Sequence, residues 1–290
     1  MLLLQLFING VQVGALYALI AVGFSLIFGS TRIFHFAHGA TFTLASYIFY
    51  YLYATAHAHW LWAVLAATVG ATVFGAIMDR LVYAPIQKHE GSFFTMFVAS
   101  LGAGIIVQNV IGLLFGSGFV SVTTPLSRSV QLMQGVYVSP LSGLAIVCAV
   151  VFFGALQIFL TRTHVGMGLR ALSENPELIR VYGLSLRRLS LVAFILGSVL
   201  VIPGAVITTA STGLNPAMGH HIMLISLAAT IVGGVGSLRG AAYAGLLLGI
   251  TENVALMYLG PEWSEAVTFV VLFLFILFRP SGFFGRPVAS

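Results

Sequence analysis

Charge is what this chain has least of. Only 7% of its 290 residues are Asp, Glu, Lys or Arg, against roughly 25% in a soluble domain. A soluble fold of this length needs a charged surface, so that class is excluded. The single lysine, Lys88, is followed by His89, so the G-x-x-x-x-G-K-[ST] phosphate loop is absent, and with it ATP hydrolysis by that mechanism. The single cysteine, Cys148, lies in the apolar run LAIVCAVVFF. It has no partner for an intramolecular disulfide and reads as a small core or lipid-facing residue. The sequence holds no H-E-x-x-H, and no Ser or Cys has an evident His and carboxylate arrangement. The glycines of GGVGSLRG do not follow G-x-G-x-x-G, which argues against a dinucleotide site. Enzyme readings have little to stand on.

What is abundant is apolar surface: 59% of the residues are hydrophobic and the mean hydropathy is +1.06. Apolar stretches of about 20 residues recur along the whole length with no soluble-sized polar block between them. The expectation is one all-α polytopic membrane bundle over residues 1–290 with no appended catalytic domain. Spans fall near 5–28, 36–55, 60–79, 93–116, 139–160, 189–211, 219–233, 240–258 and 265–279, which makes nine. The segment 219–233 is short and ends in GGVGSLRG. As a re-entrant or broken helix it would give eight transmembrane helices and change the orientation.

No Lys or Arg precedes Arg32, so the first hydrophobic segment lacks the basic region of a signal peptide and is expected to stay as a span. The formal net charge of +5 is explained by placement. With the N-terminus outside, all of the 12 basic residues except Arg128 fall on the cytoplasmic side, while Glu262 and Glu265 fall outside. Membrane lipid is thus a partner and nucleic acid is not.

Polar residues within the spans are the candidate pathway residues. Asn9 and Gln12 lie in the first span beside Gly14, Gly23 and Gly29, which allow close helix approach. Gln108 and Asn109 interrupt the fourth span, where uncompensated amides are costly and must face neighbours or a watered path. Glu252 is the only carboxylate deep within a span, a functional hypothesis by default, although an ion pair, a proton shared with Asn253 or a place near the outer interface also accounts for it. His35 and His38 have a spacing compatible with one metal, but no third ligand is near and bonds to backbone or water account for them. Asp79 and Arg80 read as a local ion pair or as snorkelling side chains. YAPIQKHEGSFF and 117–138 read as loops, the latter external and able to receive a partner outside the membrane. Pro203 with Gly204 marks a kink or break in the sixth span.

Residues 162–188, RTHVGMGLRALSENPELIRVYGLSLRR, gather Arg162, Arg170, Glu174, Glu177, Arg180, Arg187 and Arg188 in a solvent-side loop. Asn175 suits an N-cap, Pro176 the first helical position, Glu177 the first turn and Gly183 the stop. A helix of roughly two turns follows, presenting Leu178, Ile179, Val181 and Tyr182 to a groove in another protein or to the lipid interface.

In order along the chain, GALYALIAVGFSLIFG with FAHGATF, SLGAGIIVQNVIGLLFG, GLRALSENPELIRVYGLSLRRL with GSVLVIPGAVI, and PAMG with IVGGVGSLRGAAYAGLLLGITE resemble the permease subunits of branched-chain amino acid ABC importers, the LivH type. The resemblance covers nearly the whole chain. It implies an inner-membrane permease domain of a bacterial cell that binds no cofactor itself, with ATP and Mg used by two cytoplasmic ATPase subunits. A second, LivM-type permease and a periplasmic or lipid-anchored binding protein complete the importer. It also implies that 174–183 is the coupling helix, carried by Glu174, Asn175, Pro176, Glu177, Leu178, Ile179, Arg180 and Gly183. The family usually has small residues where this chain has Leu178, Ile179 and Arg180. An ATP-driven importer needs no ion-coupled carboxylate, which makes Glu252 structural in that account. Importers of the same superfamily for urea, amides, aromatic acids or sugars are alternatives, as is an ion-coupled secondary transporter or channel resting on Glu252. An intramembrane enzyme stands further off.

Overall fold

The computed structural model describes residues 1–89, 91–133, 135–174 and 184–285. The chain enters as α1 (Leu2–Thr31) and turns into α2 (His38–Tyr50), which runs on as a π-helical stretch, Tyr51–Thr55. Next come α3 (Trp60–Ile77), joined through a π-helical stretch (Met78–Tyr83) to α4 (Ala84–Lys88), and α5 (Phe93–Phe115). A two-stranded hairpin, β1 (Val130–Met133) and β2 (Val136–Val138), precedes α6 (Pro140–Arg162) and α7 (His164–Glu174). The last four helices are α8 (Leu186–Ser211), α9 (Met218–Gly233), α10 (Leu238–Ala255) and α11 (Ser264–Phe278).

The bundle is organised around α1, whose residues from Gly14 to Ser30 are buried with the exception of Ala18. A helix apolar all round must be covered on every side. Its most extensive partner is α10, and glycines make that seam. A Cβ on Gly14 would meet the carbonyl oxygen of Leu246 at 2.6 Å, and one on Gly249 would meet Gly14 Cα at 2.3 Å. Gly10 and Gly14 face Gly249, and Gly245 faces Ala18, so small residues spaced by four on both helices let the backbones touch. Between α1 and α8 the contact is likewise backbone to backbone, with a Cβ on Gly23 meeting Gly197 O at 2.8 Å.

Six helices are long and apolar enough to cross a membrane among the described residues: Leu2–Thr31, Trp60–Lys88, Phe93–Phe115, Pro140–Arg162, Leu186–Ser211 and Pro261–Phe278. Six is fewer than the eight or nine expected, because three further helices fall short in length or hydropathy. The α9 helix has only 16 residues, α2 has 13 before its π-helical end, and α10 carries Arg239, Glu252 and Asn253. All three are packed inside the bundle, where a helix can be shorter or more polar than lipid exposure tolerates.

Four further local expectations are corrected. The third span continues as helix to Lys88, where a loop was expected from Tyr83 onward, and Pro85 is taken up where the π-helical stretch passes into α4. Pro203 lies inside a continuous α8, which excludes the break offered there as one alternative to a kink. Residues 164–174 are a helix rather than open loop, with Gly166, Gly168, Leu169 and Leu172 buried against the bundle. The external loop holds the hairpin. By contrast, GGVGSLRG is a tight turn between two helices, with Gly234 and Gly236 at φ 97° and 84°.

Loop contacts define two ends. At one, Gln5 exchanges side-chain hydrogen bonds with the Tyr137 backbone at 2.9 and 2.7 Å, and Val120 pairs with Leu214. At the other, Arg32 donates to Ser173 O at 3.2 Å, and Phe283 and Phe284 donate to Val232 O and Gly233 O. Arg128 belongs to the first end, while Arg32, Arg170, Arg239 and Arg279 belong to the second, the pattern of a positive cytoplasmic face.

Candidate functional site

At the Gln5 and Tyr137 end, α1, α8, α9, α10 and the start of α11 enclose a cavity of about 270 Å³. Its apolar wall comes from Val13, Leu16, Ile20, Met218, Ile222 and Leu256, and its polar wall from Gln12, Tyr17, His221, Glu252, Asn253 and Ser264, among others. Glu252 is 9% exposed. Its Oε1 accepts from Ser264 Oγ and, at 3.5 Å, from Tyr17 Oη, while His221 Nε2 stands 3.6 Å away. On its other nitrogen, His221 faces Glu265 Oε1 at 3.3 Å. The imidazole is thus held between a buried and an exposed carboxylate.

Gln12 and Glu252 are the two candidate pathway residues that the fold brings together. Gln12 lines the cavity and its Oε1 accepts from Ser142 Oγ. Asn9, nearly a full turn earlier, accepts from Gln5 Nε2 at 2.9 Å and takes no part in the cavity. Gln108 lies elsewhere, in a narrow groove between α5 and α9 with His220, Phe36 and Thr43. Asn109 is exposed on the outer side of α5 and donates to its own helix at Ile105 O, 2.8 Å. Adjacent amides on a helix point about 100° apart, which is why the two separate.

Tyr17, His221, Ser264 and Glu265 escaped the sequence reading. Their signal was weak but present: His220 and His221 open a short apolar helix right after a glycine, and Glu265 opens another. Nothing in their spacing says that the starts of α9 and α11 flank the last turn of α10.

At the opposite end a second cavity, of about 350 Å³, is lined by Ser25, Ser30, Arg170, Ser173, Glu174 and Arg239, among others. Glu174 closes α7 there and is exposed. The remaining coupling residues, Asn175, Pro176, Glu177, Leu178, Ile179, Arg180 and Gly183, lie outside the described residues, as does the short helix expected across them.

His35 and His38 are both fully buried. His35 Nδ1 lies 2.8 Å from Tyr83 Oη, which donates to Ser100 Oγ at 2.7 Å, and Ser100 in turn accepts from Ala37 N. His38 Nε2 donates to Ile20 O at 3.1 Å. This chain of bonds ties the turn after α1 to the end of α3 and to α5. Burial, with His38 alongside, pushes the His35 imidazole well below its ordinary range, so it stays neutral. Asp79 and Arg80 form a local pair at 3.6 Å, with Ser190 Oγ also donating to the Asp79 carboxylate.

A family model described as branched-chain amino acid transport system / permease component matches residues 6–276. The chain is 29% identical over 297 residues to the high-affinity branched-chain amino acid transport system permease protein BraD of Pseudomonas aeruginosa, covering 98% of this chain and 96% of that relative. It is 29% identical over 308 residues to the permease protein LivH of the corresponding Escherichia coli system, with the same shares covered. A probable LivH permease of Methanocaldococcus jannaschii is 25% identical over 289 residues, covering 93% of this chain and 89% of its own.

Proposed function

Because the chain belongs to the family of branched-chain amino acid transport system permease components, we propose that it is the membrane permease subunit of a binding-protein-dependent ABC importer, forming part of the translocation path for branched-chain or related amino acids. The observation that carries this is the match over nearly the full length of both this chain and its relatives. The whole chain is one permease domain in a bacterial inner membrane, crossing eight or nine times. Support for nine comes from α2, α9 and α10 joining loops at opposite ends, and from the basic residues sorting by end.

The chain hydrolyses no ATP of its own. Its partners are a second permease subunit, two cytoplasmic ATPase subunits that use ATP and Mg, and a periplasmic or lipid-anchored binding protein. Residues 174–183, at and after the end of α7, transmit the ATPase motion, and α7 itself is seated on the bundle by its buried Leu169 and Leu172. The test is ATP-dependent leucine uptake by the complete complex in proteoliposomes. Gly183→Val and Ile179→Glu should insert normally yet lose ATPase co-purification or substrate-stimulated hydrolysis, since one misdirects the chain and the other places an unpaired charge in the contact. Uptake that follows a proton gradient and ignores ATP would instead make this a secondary transporter.

A further inference from the structure

We infer that the cavity around Glu252 is a binding site for the ammonium group of the transported amino acid, with the apolar wall of α1 and α9 taking its side chain. This rests on the importer reading above and names the site through which that substrate passes on the outer side. Three observations carry it.

The first is an unanswered acceptor. Ser264, Tyr17 and His221 all crowd Glu252 Oε1, whereas Oε2 is buried and has no hydrogen-bond partner. Oε2 does not open on the cavity, but a buried carboxylate oxygen left without a donor is costly, so a turn of the carboxylate that brings Oε2 to a ligand's N–H groups is favoured. An ammonium brings three donors and a positive charge.

The second is charge. Glu252 and Glu265 flank one imidazole, and no Lys or Arg lines the cavity among the described residues. The cluster therefore sets two carboxyl groups against a single basic side chain. The separations about His221 and Tyr17, 3.3 to 3.6 Å, are longer than well-made hydrogen bonds. Ser264 alone makes a close hydrogen bond to Glu252, and Tyr17 and His221 are left with capacity for a ligand.

The third is size and wall chemistry. At about 270 Å³ the cavity falls just under the roughly 300–1,000 Å³ of drug-sized pockets. One polar end and one aliphatic wall suit a small amphipathic molecule better than a hydrated metal cation, which needs oxygen ligands on every side.

The test uses the complex of this chain with its second permease and ATPase subunits in proteoliposomes, without the binding protein. Ser211, exposed at the cavity mouth, is changed to cysteine in a Cys148→Ala background. Labelling by an impermeant maleimide is read on this chain after gel separation, with Ser129→Cys on the same end as the control. Leucine and 3-methylbutylamine should slow labelling at position 211 and not at 129. The same molecule without its nitrogen, 4-methylpentanoate, should have no effect. Adding Glu252→Gln should raise the half-protecting leucine concentration at least about tenfold, the size of a lost charge-assisted contact.

Equal protection by 4-methylpentanoate, protection by sodium alone, no protection by any ligand, or full protection in a folded Glu252→Gln protein would each overturn the site. If Glu252→Gln does not reach the membrane, the three-ligand series on intact Glu252 decides. Protection as expected from a complete complex that moves no leucine would leave the site standing and remove the importer reading. Normal ATP-driven uptake without amine protection would do the reverse.

Discussion

Adding one methyl group at Gly249 should open the central seam of the bundle. An alanine Cβ there would stand 2.3 Å from Gly14 Cα and 2.4 Å from Gly14 N. Carbon atoms in contact prefer roughly 3.5–4.0 Å, so α1 and α10 must part by about 1 Å. Both obstructing atoms are backbone, so no side-chain rotation relieves the clash. Overpacking of this kind costs about 1–3 kcal/mol, and membrane helices held by close packing have no hydrophobic reserve to offset it. For a chain of this size the melting point should fall by on the order of 5 °C.

The matched control is Gly102→Ala on α5, where an added Cβ meets nothing within 4 Å. That variant should melt at or above the parent temperature, because alanine is the better helix former. The assay is thermal unfolding of the purified chain in detergent by fluorescence-detected size exclusion, with uptake measured in parallel. Glu252 lies three residues beyond Gly249 on the same face of α10, so displacement there also pulls its carboxylate from Tyr17 and Ser264, and uptake should fall more than the amount of folded protein does. If Gly249→Ala melts no lower than Gly102→Ala, the two backbones are not in contact and the packing account of α1 is wrong.

Three further outcomes are expected. With cysteines introduced near Arg170 and near Arg128 in a Cys148→Ala background, an impermeant reagent applied outside should label only the second; labelling near Arg170 would reverse the orientation. Ser190→Ala should destabilise the chain by roughly 1–3 kcal/mol by removing a donor to the buried Asp79 carboxylate, and a loss no larger than that of an exposed serine such as Ser129 would mean that Asp79 is satisfied from elsewhere. His35 is neutral in the folded chain because its pKa is lowered well below the ordinary 6.5. As pH falls through 6.5 the unfolded state therefore binds a proton that the folded state does not, and stability is lost on acidification. A His35→Gln chain should show a flatter decline between pH 7 and 5, and an unchanged slope would reject His35 as the source.

The long spans were legible because composition alone marks them: a stretch such as LAIVCAVVFF has no soluble alternative. The glycines of the first span also pointed to close packing, although not to α10 as the partner, since a small residue reports that something approaches and not what. The helix at 164–174 was hidden by its charges. Arg170 and Glu174 suggested a solvent loop, but the burial of Leu169 and Leu172 follows a helical period of three, a signal too short to stand out beside the strong capping signals at Asn175 and Pro176. The end of α3 was misread in the same way, with the polar and charged residues of YAPIQKHEGSFF read as a loop where the helix runs on through a π-helical stretch to Lys88.

For the candidate site, rarity was a sufficient guide to one residue and useless for the rest. Glu252 stands out because a carboxylate inside an apolar run has few bland explanations, whereas Tyr17 and Ser264 are ordinary residues whose role depends on which helix end lies beside them. His221 is the instructive case, since the sequence shows two adjacent histidines and gives no reason to choose between them. One step along a helix turns the side chain by about 100°, which sends His220 to the groove by Gln108 and His221 to the carboxylates. A membrane bundle places its chemistry by such rotations, and they are fixed by packing seams like that between Gly14 and Gly249. It follows that the site should be more sensitive to a methyl group at Gly249, which touches no ligand, than to the loss of Asn9, a polar residue that the fold keeps out of the cavity.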